Sequence, residues 1–165
     1  MDLMNDDRPS WTDQTGQARL RSLDMAAATR TSVPVLISAP AESALPMALE
    51  IAVGRGADGA GGVLVVDAAD NGHLHSTLSR ASAAGLGTLR TIVVQDVETL
   101  DQAQQSVLMA LVADTADPDS RTCRIIATTS VPLFERVIQG SFDSDLFYRL
   151  NRIHIKVGAH LPHGH

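Results

Sequence analysis

Aromatic side chains are scarce in this chain: Trp11, Phe134, Phe142, Phe147 and Tyr148 are all it has, 3% of 165 residues. A core short of rings must be filled by Val, Ile, Leu, Met and Ala, which suits parallel strands buried on both faces under helices. Cysteine is scarcer still. Cys123 stands alone and cannot form an internal disulfide, and the polar opening MDLMNDDRPS has no apolar signal-peptide core, so a cytoplasmic location is expected. Apolar runs reach only about five residues against the roughly 20 that span a bilayer, and no membrane span is expected. Positive charge is also short. Thirteen Lys and Arg face nineteen Asp and Glu, a net charge of -6, and Lys156 is the only lysine. Direct nucleic-acid binding rests on such cations neutralising phosphates and is therefore not expected. What is present is 44% hydrophobic residues, enough for one domain with a real core.

The order of elements follows from periodicity and breakers. Residues 1–10 read as a disordered lead, with Ser10 placed to cap a helix from Trp11 to about Arg30 on which Leu20, Leu23 and Ala27 share a face. A strand is expected at Val33 to Ile37, ending near Pro40, and a helix at Ser43 to Val53. The glycine-rich run GRGADGAGG, Gly54 to Gly62, precedes a strand instead of following one. It reads as a connector, because a phosphate-cradling loop belongs between a strand and the helix after it. Strands are expected at Val63 to Asp67, Thr91 to Gln95, Cys123 to Thr128 and Arg152 to Val157. The intervening helices fall at Asn71 to Ala84, at a helix capped by Asp101 and running to Asp114, at Val131 to Gln139 and at Asp143 to Leu150. Five alternations of strand and helix predict an α/β fold: a three-layer αβα sandwich with a mostly parallel five-stranded sheet, occupying residues 11–158 and followed by a flexible tail at 159–165.

Two segments point further. RIIATTS, from Arg124 to Ser130, and FDSDLFYRL, from Phe142 to Leu150, resemble the fourth strand and later helix of the sigma-54 activator family of AAA+ ATPases, where they run roughly RIIAATN and FRxDLYYRLN. Weaker fragments extend the resemblance over about Leu20 to Leu161. VPVLIS at Val33 is similar to the family's first strand, VVDAA at Val65 to its second, and IVVQDVETLDQAQQSVL at Ile92 to the Walker B strand and the helix behind it. The resemblance implies a P-loop NTPase (AAA+) fold.

It also implies where an ATP site would lie, and there the chain departs from the pattern. The phosphate loop GxxxxGK falls on Ala39 to Leu45, APAESAL. Such a loop needs glycines so that successive N–H groups turn inward, and a lysine for the outer phosphate oxygens. Ala39 and Ala44 replace the glycines, Pro40 has no N–H, Leu45 replaces the lysine and Glu42 adds a negative charge. The Walker B acids fall on Gln95 and Asp96, and Gln95 lacks the anionic charge of a good magnesium ligand. Ser130 takes the place of a water-holding Asn. Asp143 replaces one of two arginines that the family offers to a neighbouring subunit's ATP, and Arg149 keeps the other. Only 17 residues separate Ala69 from Gly87, so the GAFTGA loop that grips sigma-54 is missing. The sequence also stops before the family's helical lid and DNA-binding helix-turn-helix, and neither remodelling nor enhancer binding is expected of this polypeptide alone.

The resulting expectation is a non-catalytic binding or regulatory module. Its nucleotide site is vestigial (Ala39, Glu42, Ala44, Leu45, Gln95, Asp96, Ser130), with no cofactor and no metal. Its partner is an AAA+ activator subunit or a second copy, met through Asp143, Asp145 and Arg149. The alternatives are an ATP-binding ATPase with an atypical site and a structural remnant of a split regulator. Arg149 has a simpler role open to it, pairing with Asp145 at i, i+4. His73 and His75 would point to different faces of a helix, and His160, His163 and His165 sit in the polar tail, so no metal site is expected of them. Cys123 reads as a small buried hydrophobe. VLVVDAAD at Val63 also resembles the first strand of a response-regulator receiver, but Asp96 follows Asp67 too closely to be its phosphoacceptor and Lys156 lies inside the last strand.

Overall fold

The computed structural model describes residues 22–30, 33–54, 62–70, 76–77, 89–114 and 124–157. Short runs rich in β-branched residues form the strands β1 (Val35–Ser38), β2 (Gly62–Asp67), β3 (Leu89–Gln95), β4 (Arg124–Thr129) and β5 (Ile153–Lys156). They lie in the order β2-β3-β4-β1-β5. Every pairing is parallel. The helices are α1 (residues 22–30), α2 (Ala41–Gly54), α3 (Gln102–Asp114), α4 (Leu133–Ile138) and α5 (Ser144–Leu150), with a 3₁₀ turn at Val97–Thr99. Residues 76–77 are helical, inside the span expected for a helix between β2 and β3. The remainder of that span, the lead at 1–10, residues 55–61 of the glycine run, Cys123, His73, His75 and the tail at 159–165 lie outside the described residues. Among the described residues no helix is long and apolar enough to cross a membrane.

Alternation along the strands sorts the core into two layers, because successive side chains point to opposite faces. Leu36, Val66, Ile92, Val94, Ile125 and Ala127 meet Leu108 and Leu111 of α3 and Leu146, Phe147 and Leu150 of α5 on one face. Val35, Ile37, Val93, Ile126 and Ile155 meet Ala28 of α1 and Ala44, Ala48, Ile51 and Ala52 of α2 on the other. β4 is buried at all six positions, as a central parallel strand covered on both sides must be. Its first residue, Arg124, is buried too, and its guanidinium donates to the Ala28 carbonyl in α1. α1 and α2 approach closely: a Cβ at Gly54 would lie 2.8 Å from Thr29 Cγ2.

Strand and helix limits differ from the sequence expectation by one or two residues, as where β3 begins at Leu89 and not Thr91, and in several places beside prolines. β1 begins at Val35, not Val33, since Pro34 has no N–H to place in a ladder. α2 begins at Ala41, directly after Pro40, and α4 begins after Pro132, its N-cap residue. The expected cap at Asp101 is present in reciprocal form. Gln104 N–H donates to Asp101 Oδ1 and Asp101 N–H to Gln104 Oε1, each at 2.8 Å, satisfying two donors that the first turn cannot. Asp143 caps α5 in the same sense, accepting from Leu146 N–H at 2.9 Å.

One buried side chain joins these two caps. Gln105 donates through Nε2 to the carbonyls of Leu100 and Ser141, both at 3.0 Å, and accepts through Oε1 from Asp143 N–H at 2.8 Å. Replacing it by Met keeps the volume and strands three backbone groups. Gln105→Met is expected to lower the unfolding free energy by about 2–3 kcal/mol in urea titration. Ser106→Ala, one residue on but solvent-facing and bonded only within its own helix, is expected to stay within about 0.5 kcal/mol of the parent.

Candidate functional site

In a sheet ordered β2-β3-β4-β1-β5, the helix after β1 covers one face and the helices after β4 cover the other. Ligands of open parallel sheets bind where such connections diverge, outside the carboxyl ends of the strands. Here that crevice lies beyond Ser38 of β1 and Thr129 of β4. Ala39, Gln95, Asp96 and Ser130 all stand at this end of the sheet, so the topology brings the separate parts of the expected site to one edge.

Their local chemistry is that of a closed junction. Only Ala39 and Pro40 separate β1 from α2. Ala39 N–H donates to Thr129 O at 3.0 Å, and the N–H groups of Ser43 and Ala44 donate to Pro40 O at 2.9 and 3.0 Å. Three donors that a phosphate cradle would aim at an anion are thus spent on carbonyls, and Pro40 has none to give. Ala39 and Ala44 are buried against the sheet, and Leu45 packs on the same core layer. Glu42 is exposed in the first turn of α2, where a carboxylate complements the positive end of the helix dipole.

At the end of β3 the backbone turns sharply. Asp96 adopts the left-handed conformation (φ 53°, ψ 51°), among the described residues the one non-glycine position with positive φ. Asp and Asn tolerate this region better than other side chains. Asp96 N–H donates to Thr128 Oγ1 at 3.3 Å, and its carbonyl accepts from Thr99 N–H and Oγ1. Partial burial, followed by the nearby negative charges of Glu98 and Asp67, holds the Asp96 carboxyl above its ordinary value of 3.8.

Two pairs escape a reading of the sequence. Glu98 Oε1 accepts from Ser130 N–H at 3.2 Å and from Ser130 Oγ at 3.0 Å, while its Oε2 is buried without a partner. The position expected to steady a water is engaged by an internal carboxylate. Ser38 Oγ and His154 Nε2 lie 2.7 Å apart across β1 and β5, and burial, aided by Lys156, holds the His154 imidazole below its ordinary value. Both partners of each pair are distant in sequence, and no spacing rule reveals them.

Asp143, Asp145 and Arg149 lie together on or beside α5, with all three residues exposed. Asp145 and Arg149 stand four positions apart on α5, both exposed, at the spacing where side chains can meet on a helix surface. Exposed pairs gain too little over hydration to fix two long side chains in one geometry. Among the described residues no group of three His, Cys, Asp or Glu is arranged to hold a metal ion.

Solved structures agree with the fold. NtrX from Brucella abortus, in complex with ATP, matches with a TM-score of 0.65 at 18% identity over 87% of this chain and 35% of that one. The P-loop NTPase domain of the sigma-54 transport activator from E. coli matches at 0.55 and 18% identity, over 77% and 98% of the two chains. RuvB of Thermotoga maritima, a Holliday junction branch migration motor, matches at 0.55 and 16% identity, over 87% and 45%. This chain therefore has the αβα architecture of P-loop NTPases of the AAA+ kind, and it spans about a third of the length of NtrX. No curated protein sequence matches it. A family model for the sigma-54 interaction domain matches residues 63–159. That match takes in more than half of the chain, which belongs to the sigma-54 interaction domain family.

Proposed function

We propose that this domain is a non-catalytic binding module related to transcription activators, built on an ATPase scaffold whose nucleotide site no longer works. The observation that carries this reading is the junction between β1 and α2, where the N–H groups of Ala39, Ser43 and Ala44 are bonded internally. None of Ala39, Glu42, Ala44, Leu45, Gln95, Asp96 and Ser130 is a cation, and two are acids. Each unit of like charge brought to about 4 Å costs roughly 1–4 kcal/mol, depending on local dielectric. A triphosphate meets repulsion here with no lysine to offset it.

The partner in this reading is an AAA+ activator subunit, met through the face that carries Asp143, Asp145 and Arg149. Exposed apolar side chains support a docking role for the same region. Phe134, Ile138 and Tyr148 are 48%, 71% and 61% exposed, and all three lie on α4 or α5. The buried Phe147 ring links two of them, with centroids 5.7 Å from Phe134 and 5.4 Å from Tyr148. Aromatic and aliphatic side chains grouped in this way mark interaction surfaces more often than solvated ones.

Thermal denaturation with Mg-ATP or ADP tests the loss of the nucleotide site. No change in Tm is expected up to millimolar concentration. A nucleotide present at a hundred times its Kd would stabilise the fold by about 2.7 kcal/mol, and a saturable rise would sink the proposal. Size-exclusion chromatography with a purified sigma-54 activator should show co-migration, or an ATPase assay of the mixture should show a changed rate in the activator. The absence of both removes that partner.

The acids at the end of β3 give a further test. A carboxyl whose pKa is raised on folding contributes stability that is full below 3.8 and is lost as pH rises through the folded value. Asp96→Asn suits the left-handed backbone, and the Asp96 side chain makes no capping hydrogen bond that would be lost. The variant is expected to melt above the parent at pH 7. That gap should close as the pH falls through the interval between the raised folded value and 3.8, which a pH series of melting curves measures.

A further inference from the structure

A groove of about 470 Å³ runs between α3 and the turn joining α4 to α5. Its volume is within the range of clefts that hold ligands or peptide side chains. Gln102, Ser106 and Met109 form one wall, and Gly140, Ser141 and Asp143 contribute to the other. Both walls are held in place. Gly140 takes a positive φ of 80°, and the N–H groups of Ser141 and Phe142 both return to Arg136 O at 3.0 and 3.1 Å. Gln105, buried at the back, bonds to Ser141 and Asp143 from the other side. A cleft shaped in advance loses little order when it is filled.

The charge of the groove is one-sided. Its lining residues include one acid, Asp143, and no Lys, Arg or His. α3 has no basic residue in its last turn and none along its sequence. Asp143 caps α5 through Oδ1, and a carboxylate has acceptor capacity beyond that one bond. Met109 offers a soft apolar surface beside it, of the kind that adapts to aliphatic stems.

We propose that this groove receives an extended segment of a partner protein that places an arginine or lysine against Asp143, with its methylenes over Met109. The inference rests on the reading of the domain as a binding module and gives that module's partner a chemistry. A guanidinium suits the site best, because a planar fork can bond a carboxylate and a neighbouring polar group together. Gln102 and Ser106 supply such neighbours along α3.

Titration of the ¹⁵N-labelled full chain with an acetylated, amidated pentapeptide, Gly-Leu-Arg-Leu-Gly, tests this by NMR. Saturable amide shifts are expected at residues 102–109 and 140–143. The same peptide with Glu in place of Arg should produce none. Asp143→Asn keeps an N-cap acceptor for Leu146, so its melting temperature should stay near the parent's while the arginine peptide binds about tenfold or more weakly. Shifts that are absent, that are equal for the two peptides, or that survive Asp143→Asn would overturn the proposal. Such a failure leaves the nucleotide result untouched: saturable binding of Mg-ATP defeats the non-catalytic reading, whereas an empty groove defeats only this one.

Discussion

A two-residue connection between β1 and α2 governs what the carboxyl edge of this sheet can do. A loop that cradles phosphate would have to curl at this point and present its amides outward. Here Pro40 starts the helix at once, its carbonyl collects the amides of Ser43 and Ala44, and Ala39 is drawn onto Thr129. Backbone donors cannot serve two acceptors well, and beyond the first turn those of a helix are committed to the carbonyls four residues back. The side chains follow suit: Ala39, Ala44 and Leu45 turn toward the packed layer under α2.

The neighbouring strand ends complete the same pattern. Asp67, Asp96 and Glu98 bring three carboxylates near one another, and Glu98 satisfies one oxygen on Ser130. An edge organised in this way bonds its own groups to one another. Exposed large apolar side chains occur on α4 and α5, at Phe134, Ile138 and Tyr148, as well as at Leu23, Val53 and Val65 elsewhere.

Much of this could be read from residue order because buried parallel strands leave a plain signal. The runs VLIS, TIVV and RIIAT suit strands covered on both sides, VLVV forms an edge strand left partly exposed, and their alternation with helices implied the architecture. Limits were less legible beside Pro34, which lacks the N–H a strand needs, and beside Pro40 and Pro132, whose fixed φ suits the residue before a helix. The site was legible in its positions and not in its contacts. Residues 39–45, 95–96 and 130 could be assigned to one end of the sheet, but the hold of Glu98 on Ser130 spans 32 residues and that of Ser38 on His154 spans 116. Such pairs depend on strand order and have no local periodicity to betray them. Gln105 was hidden for the same reason, since a glutamine in a helix is ordinary until a turn some 36 residues later closes over it.

The guanidinium of Arg124 has a bearing on how the chain acquires its shape. It grips the carbonyl of Ala28 across 96 residues, so an early-made helix receives that anchor only when a strand translated much later has entered the middle of the sheet. Contacts of such long range are slow to close, and synthesis proceeds from the amino terminus. The layer that α1 helps cover, built from β1, β3, β4 and β5, is therefore complete only once the last two strands have been made.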